Sequence, residues 1–545
     1  MTLSRRSFLK STSALGGMAL PLAACSGEDE GDPSDGLDHY TFDGDPGPET
    51  LFQHGVSSGD PLSDGIILWT RVSVAETMLG EDVDVWWEIG TDTAFNQRVQ
   101  VGTATTNASR DFTVKVDVRA LSPNQTYYFQ FKALGRTSPA GRTKTAPSAD
   151  VERLRFAVMS CASLAHGYFH GYRDVAGELD LDAVLFLGDY IYEYGSGQYG
   201  AVREYEPAHE IVSLDDYRVR HAQYKRDADV QAVHRQHPFI AVWDDHETAN
   251  NSFKDGAENH DPVTEGDWAT RKAAAIQAYT EWMPIRGGEN GKIFRSFSYG
   301  NLADLIFLDT RLWGRDEDDG KLLGPAPDEE PGRTLLGDDQ ELWLDDQLKT
   351  SQAKWRVVAQ QVMMAHLKNA GAPNSEGGGS LVNHDQWQGY PGSRDRFMTL
   401  LRDQQIDNVV VLTGDIHSGW GSDLTLDPNN PEVYDRATGK GSVGVELVTS
   451  SVTSPGFPPG IDAVVEAALK ENPHIFYSNV TQRGFMILDL SSARAQAAWY
   501  VYDSVADPDG GVRSLDAVYE TADGQNHLIV ADTPAPPKGA PDPAP

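Results

Sequence analysis

Five short apolar runs in this chain each end on side chains able to bind a cation. "FAVMS" (156–160) is followed by Cys161. "AVLFLG" (183–188) is followed by Asp189, with Tyr192 three residues on. "FIAVW" (239–243) leads into Asp244, Asp245, His246 and Glu247, then Asn250 and Asn251. "WRVVA" (355–359) precedes Gln360 and Gln361, and "NVVVLTG" (408–414) precedes Asp415 and His417. In open α/β sheets ligands bind beyond the carboxyl ends of the strands, so residues at these positions converge when the strands run parallel. Singly, each has an ordinary structural explanation. A lone cysteine is usually a small buried hydrophobe, Gly-Asp is often a turn, and aspartates at a helix start cap it. Jointly, at matching strand ends, they read as a metal centre.

The donor types narrow the choice of metal. Thiolate and phenolate are electron-rich anions that stabilise a trivalent iron, whereas Mg²⁺ and Ca²⁺ prefer carboxylate and amide oxygen. Both sorts are present. The expectation is Cys161, Tyr192 and His417 on iron, with Asp245, Asn250 and Asp415 on a harder divalent ion and Asp189 bridging. Two metals about 3.5–4 Å apart clamp the attacking and leaving oxygens of an in-line displacement and generate hydroxide at moderate pH. That is phosphate ester hydrolysis, with no redox change required of the iron.

The elements that must position these residues form two blocks. From about 48 to 147, "GIILWTRV", "VDVWWEIGTD", "RVQVGTATT", "FTVKVDVRAL" and "TYYFQFKALG" are β-branched and aromatic runs separated by turns, which predicts a small all-β sandwich. "LSPNQTYYFQF" resembles the fibronectin type III stretch in which a tyrosine hydroxyl pins a corner of the sandwich. From 150 to about 520, buried-looking strands alternate with helical stretches at 214–236, 268–283, 338–352 and 393–406, the last with Ser393 as N-cap. That alternation predicts sheets covered on their outer faces. The segment "GFMILDLSSARAQAAWYVYDS" reads as an antiparallel pair. The acidic stretch 26–47 reads as a flexible tether and the Pro/Ala-rich tail 532–545 as disordered.

The chain begins with a twin-arginine pattern, Ser4-Arg5-Arg6-Ser7-Phe8-Leu9-Lys10, and a short run closing on Leu22-Ala23-Ala24-Cys25, which resembles a bacterial lipobox. Residues 1–25 are therefore expected to be a signal read by the twin-arginine export machinery, with a lipid anchor at Cys25 and a periplasmic or cell-surface location. Cys161 then has no disulfide partner. Lysine plus arginine total 45 against 81 aspartate plus glutamate, a net charge of −36 that argues against a nucleic-acid-binding surface.

Taken together, "HGVSSGDP" (54–61), "SC" (160–161), "GDYIYEYG" (188–195), "WDDHETANN" (243–251), "LDTR" (308–311) and "GDIHSGW" (414–420) resemble the PhoD-type alkaline phosphatases over residues 50 to about 520. That family also has phosphodiesterase and phospholipase D-like members. The resemblance implies a four-layer αββα calcineurin-like metallophosphatase domain behind a fibronectin III-like domain. It also implies Fe³⁺ with one or two Ca²⁺, and release of phosphate from small esters outside the cytoplasm. Relative to ordinary calcineurin-like enzymes, Ser160-Cys161 replaces Asp-x-His, Asp244-Asp245-His246 replaces Gly-Asn-His, and Gly414-Asp415-Ile416-His417 replaces Gly-His-x-His. Gln361 is a lesser candidate where the fourth motif has a histidine. Ala162 stands where many relatives carry a polar residue. His246 is the candidate to protonate the leaving group or hold a phosphate oxygen, and Arg311 the candidate for bidentate phosphate binding. The competing readings are a phosphodiesterase or phospholipase of the same chemistry, and a non-catalytic surface lipoprotein.

Overall fold

The computed structural model describes residues 36–288, 290–327, 332–458 and 460–545. The expected export signal, lipobox and first part of the acidic tether lie outside the described residues. Residues 37–545 make one unit.

The first block supplies β1 (Val56–Leu62), β2 (Gly65–Arg71), β3 (Val83–Gly90), β4 (Arg98–Thr106), β5 (Thr113–Arg119), β6 (Thr126–Ala133), β7 (Arg136–Thr137) and β8 (Gly141–Lys144). The order β4-β3-β6-β7, with β8 also on β6, makes a five-stranded sheet. Its Val85, Ile89, Phe129 and Phe131 pack against Ile66, Leu68, Val114 and Val118 of β2 and β5. The five-stranded sheet thus faces β2 and β5 across an apolar core; Tyr127 Oη accepts from Ser122 N at 2.9 Å, whereas Tyr128, the tyrosine that the fibronectin-like pattern picks out, donates its hydroxyl to Asp542 O instead.

The second sheet of the expected sandwich is not its own. It continues into β9 (Arg153–Met159), β10 (Ala183–Phe186) and β11 (Pro238–Ala241), because β1 pairs parallel with β11. The "HGVSSGDP" stretch carries turn residues, yet it forms β1 because it is wedged between β2 and β11. Gly59 there has no room for a Cβ against the carbonyls of Pro284 and Phe239. Asp60, fully buried, accepts from Arg295 Nε and Nη2 at 2.9 and 2.7 Å. The motif is a seam between the two blocks.

The second block continues with β12 (Arg295–Tyr299), β13 (Ala303–Phe307), β14 (Leu323–Gly324), β15 (Trp355–Ala359), β16 (Lys368–Ala370), β17 (Ser380–Val382), β18 (Val409–Thr413), β19 (Gly419–Thr425), β20 (Ser442–Val448) and β21 (Ile475–Asn479). It ends with β22 (Arg483–Ser491), β23 (Arg494–Tyr502), β24 (Arg513–Ala522) and β25 (Ile529–Val530). The first large sheet has order β25-β24-β23-β22-β9-β10-β11-β1-β2-β5, and the other β12-β13-β15-β18-β20-β19-β21. Both have a parallel centre and antiparallel edges. The expected antiparallel pair is β22 with β23.

Helices cover both outer faces. They are α1 (His170–Gly177), α2 (Leu214–Lys225), α3 (Ala228–Gln236), α4 (Trp268–Trp282), α5 (Asp338–Thr350), α6 (Pro391–Asp403) and α7 (Asp462–Glu471). On β13 and β15 alternate residues go to opposite sides, as strand geometry requires. Leu305, Phe307 and Val357 join the core shared with the first sheet, while Ile306 and Val358 join Leu344 and Leu348 of α5 and Phe397 and Leu401 of α6. Between the sheets Phe156 meets Tyr299 edge to face at 5.2 Å, a pair worth about 0.5–1.5 kcal/mol beyond its area. On the first sheet's other face Phe186 lies against Tyr172 of α1, and Phe239 against His234 of α3. The layers therefore run helix, sheet, sheet, helix.

Three expectations need correction. The helix predicted over 214–236 is two, because Asp227 accepts from the N–H groups of Asp229 and Val230 and starts α3 afresh. Ser393 is not the N-cap of α6. Pro391 sits at the first helical turn, where its missing N–H costs nothing, and Ser393 Oγ accepts from Leu335 N instead. The described part of the acidic tether, and the tail, are also held. Asp38 O accepts from Arg98, and Tyr40 Oη accepts from Gly135 N.

The Pro/Ala-rich tail is likewise an extended strap. Lys538 Nζ donates to Asp182, Arg153 donates to Pro536 O, Tyr128 Oη donates to Asp542 O, and Ala544 exchanges hydrogen bonds with Gln236. Asp182 directly precedes β10, so the strap runs over the end of the sheet opposite Asp189. Net hydrogen bonds contribute about 1 kcal/mol each. Ending the chain at Asp532 should therefore lower unfolding free energy by about 2–4 kcal/mol in urea titration, and an unchanged midpoint would show that the strap carries no load.

Candidate metal centre and active site

The parallel strands of both sheets deliver their carboxyl ends to one edge of the molecule. Cys161 follows β9, Asp189 follows β10, Asp244 to His246 follow β11, and Asp415 to His417 follow β18. Four of these residues turn sharply to face the centre, with φ of +59° at Cys161, +58° at Asp189, +58° at Asp415 and +56° at His417. A left-handed conformation in a residue with a Cβ costs about 1–2 kcal/mol, and such strain gathers at functional sites. It is held by cross-ties. Cys161 N donates to Gly188 O and Ala162 N to Asp189 O. The Glu247 carboxylate accepts from Asp189 N, Tyr190 N and Asp244 N at 3.0, 2.6 and 2.8 Å.

Donor atoms gather in three overlapping groups, each with its atoms within 4.8 Å of one another: Cys161, Asp189 and His417; Asp189, Asp245 and His246; Asp244, Asp245 and Asp415. Asp189 belongs to the first two and Asp245 to the last two. Tyr192 joins the first group, its hydroxyl donating to Asp189 Oδ2 at 2.7 Å and lying 3.3 Å from His417 Nε2. His417 Nδ1 lies 3.1 Å from Pro455 O; donating there leaves Nε2 as an electron-pair donor. Asn250 joins Asp189, Asp245, His246, Asp415 and His417 around a cavity of about 370 Å³, while Cys161 and Tyr192 are fully buried. Asp189 Oδ1 and Asp244 Oδ2 are buried without a hydrogen-bond partner. Orphaned carboxylate oxygens facing further carboxylates, a thiol and a phenol suit a cation and little else. The residues present therefore fit a metal centre.

This arrangement has known counterparts. Residues 156–499 match the PhoD-like phosphatase family, and residues 42–147 match the N-terminal domain of PhoD-like phosphatases. The chain belongs to the PhoD-like phosphatase family. It is 38% identical over 530 residues to alkaline phosphatase D of Bacillus subtilis (strain 168), covering 94% of this chain and 86% of that one. A solved structure titled "Structure of PhoD" superposes with a TM-score of 0.81 at 37% identity, covering 92% of this chain and 95% of that chain. The protein is accordingly a phosphoric ester hydrolase, and the reading as a non-catalytic lipoprotein is set aside.

Electrostatics within this PhoD-like site favour a cation. Burial, then the Asp189 charge, pushes the Cys161 thiol well above its ordinary value, and burial and Asp189 do the same to the Tyr192 phenol. Neither would ionise without a bound cation. Burial raises Asp244 despite Arg311, with Asp245, Asp415 and Asp189 adding to the effect. Asp415 is pushed up to about 6 and Glu247 to about 8, in both cases chiefly by burial. Burial alone would strip the proton from His246. Asp245, Glu193 and Asp189 outweigh it and hold the ring protonated well above the ordinary imidazole range.

Two expected roles are not met. Arg311 is fully buried and its three nitrogens are taken: Nε donates to Asp244 at 2.6 Å, Nη1 to Asp385 at 2.8 Å and Nη2 to Asp415. It neutralises the carboxylates rather than presenting a fork to phosphate. Gln361 also turns away from the cavity. Its Oε1 accepts from Thr310 N and Oγ1, and its Nε2 donates to Leu308 O.

The site also contains residues that the sequence reading left without a role. Asp244 joins the third donor group. Glu193, inside "GDYIYEYG", receives His246 Nδ1 at 2.7 Å and Asn250 N at 2.8 Å. Ser454 Oγ lies 2.6 Å from the Tyr192 hydroxyl. Asp385 carries Arg311 from a loop with no apolar run before it, so no strand-end rule could have found it.

Replacing Arg311 by leucine removes a counter-charge shared by three buried carboxylates. Breaking a buried ion pair costs about 3–5 kcal/mol, so urea or thermal denaturation should show a loss of that order. A variant of wild-type stability with only a raised KM would return Arg311 to the role of phosphate ligand.

Proposed function

We propose that the protein is an extracytoplasmic, metal-dependent alkaline phosphatase that releases phosphate from small esters, reaching its compartment by twin-arginine export and held there by lipid at Cys25. The observation that carries the metal-dependent reading is the run of overlapping donor groups with the unpartnered oxygens of Asp189 and Asp244. Cys161, Tyr192 and His417 would hold Fe³⁺, with Asp189 shared. Asp245, Asn250 and Asp415, with Asp244 beside them, would hold Ca²⁺, one ion or two. When bound, such a pair lowers the pKa of water and neutralises charge building on the phosphoryl oxygens.

The chain's own residues supply the rest. His246 lines the cavity with Nδ1 fixed by Glu193, so its other nitrogen is left to give a proton to the departing alkoxide. Its ring is clamped against Tyr192, with centroids 4.2 Å apart and 30° between planes, which fixes the direction of transfer. Asp245 accepts from His246 N at 3.0 Å and Asn251 N at 2.6 Å, so this carboxylate is aimed before any ligand arrives. A phosphodiesterase or phospholipase D-like activity is the second reading, favoured by the larger cleft that adjoins the cavity through Asn251, Asn383 and Asp385. Rates on p-nitrophenyl phosphate, its bis ester and phosphatidylcholine separate the two. Fractionation of the native host, with a Cys25→Ser control, tests the anchor.

Cys161→Ala should lose iron and activity together, measured by elemental analysis of natively exported protein. An active variant with full iron would remove Cys161 from the centre. A Tyr192 phenolate on Fe³⁺ should give a visible charge-transfer band, and colourless, active, iron-loaded protein would remove Tyr192.

Glu193→Gln takes away a negative charge that raises the His246 pKa. An acid works while protonated, so its activity falls as pH rises through that pKa. The alkaline limb of the kcat profile should therefore move to lower pH in the variant, with kcat down about 10–100-fold. An unshifted limb would show that His246 is not the titrating group.

A further inference from the structure

His246 is aimed by Glu193, and Glu193 is itself held from further back. Its carboxylate is fully buried. Oε2 meets His246 Nδ1 at 2.7 Å, while Oε1 accepts from Asn250 N at 2.8 Å and from Asn259 Nδ2 at 3.0 Å. A glutamate's last torsion is broad and twofold, so pinning one oxygen decides where the other points. Asn259 Nδ2 also donates to Glu210 Oε1 at 3.2 Å, which sets one amide between two carboxylates.

These tethers converge on Arg271, in the first turn of α4 and 1% exposed. A guanidinium offers five N–H donors in a rigid fork. Nη1 donates to Asn259 O at 3.1 Å and Glu265 Oε2 at 2.7 Å, and lies 3.4 Å from His260 Nδ1. Nη2 donates to Glu210 Oε1 at 2.9 Å and Ile211 O at 3.1 Å, and Ile211 N donates in turn to Glu193 O at 2.9 Å. Nε donates to the Tyr217 hydroxyl at 3.1 Å, and that hydroxyl donates to Thr248 O at 2.6 Å, two residues after His246. Three paths thus leave one side chain. One reaches the Glu193 carboxylate through Asn259, one its backbone through Ile211, and one the His246 loop through Tyr217. Arg271, Asn259 and Tyr217 do not line the metal cavity. Buried ion pairs are often no more stabilising than apolar side chains of the same size, so stability alone is a weak reason for this arrangement. What it supplies is direction.

We propose that Arg271 is a positioning residue for proton transfer, acting through Asn259, Ile211 and Tyr217 to keep His246 in line with the departing oxygen. The proposal rests on the phosphatase reading with His246 as its acid, and adds the device that aims the acid. In the step it serves, hydroxide bonds phosphorus as the P–O bond to the alcohol breaks. The electron pair of that bond stays on the alcohol oxygen, which takes the His246 proton and leaves the ring neutral. Misplacing a reacting group by about 1 Å can cost about 100-fold in rate, and a fork of fixed donors on a helix prevents it.

The leaving group reads this out. An alkoxide needs a proton in order to depart, whereas p-nitrophenolate leaves without one. The metal-loaded enzyme is assayed on n-propyl phosphate and p-nitrophenyl phosphate, with His246→Asn as reference. Asn259→Ala and Arg271→Lys should each lower kcat for the propyl ester about 10–100-fold, with KM little changed and a loss on the nitrophenyl ester at least about tenfold smaller. The reference should show the same selective pattern. Lysine keeps the charge but lacks the fork; where Arg271→Lys unfolds early in urea, Asn259→Ala, at a half-buried loop position, decides alone. Equal losses on both esters, or none, beside a selective loss in His246→Asn overturn the proposal and spare the acid. Equal losses on both esters in His246→Asn itself overturn the acid and the proposal together. Wild-type enzyme inert on both esters sinks the phosphatase reading.

Discussion

Mutual repulsion among buried carboxylates is the constraint on which this structure turns. Asp244, Asp385 and Asp415 all bond the guanidinium of Arg311, and Asp245 lies 3.9 Å from it. Arg311, even with Arg315 also on Asp385, cannot balance them, and Asp189 and Asp244 keep oxygens with no hydrogen-bond partner. Such groups are costly to bury without counter-charge. The cost is tolerable when a cation completes the set, because its binding free energy then belongs to the folded state alone. Arg311 gives partial balance, and the remaining deficit marks where positive charge is most favoured.

A deficit of charge positions nothing unless the surrounding backbone is stiff. Side chains here act as surrogates for absent backbone partners. The Glu247 carboxylate takes three consecutive-loop N–H groups, Gln361 spans Thr310 and Leu308, and Gln340 bonds both N–H and C=O of Asp309. These bonds begin where the ladders of the two sheets stop, and they carry sheet-like order one turn further out. Gly188 shows how tight the packing is. It has φ of +106°, and a Cβ there would run into Asp244. The strained φ values at Cys161, Asp189, Asp415 and His417 persist because their neighbours allow no alternative.

Much of this was legible in the sequence because each signal was local. Apolar runs of four to seven residues located the parallel strands, and the residue after each run is by geometry the one at the ligand-binding edge. Arg311 was placed correctly at a strand end, but its role was misread. A single sequence does not show that Asp385, from the segment between β17 and α6, reaches the same guanidinium. The seam was missed for a similar reason. Ser58, Gly59 and Asp60 have low strand propensity, and only pairing with a distant strand makes them one. The tail was misjudged on composition, since proline and alanine signal disorder only where nothing receives the chain. Here Asp180, Asp182, Gln236 and Gln496 receive it.

The joining of β1 to β11, together with the strap, also bears on the order in which the chain can be completed. Ser58 pairs with Pro238, and Ala544 bonds to Gln236, so β1 and the tail meet at the junction of α3 and β11. The amino-terminal block cannot finish its sheet until that junction has been synthesised, and the 532–545 strap cannot dock until the rest of the second block has followed it. Closure is thus strongly non-local, the situation in which folding is slow and incomplete forms are exposed to aggregation. Any peptide fused after Pro545 would emerge beside that junction rather than near the metal cavity, where it would trouble assembly before it troubled chemistry.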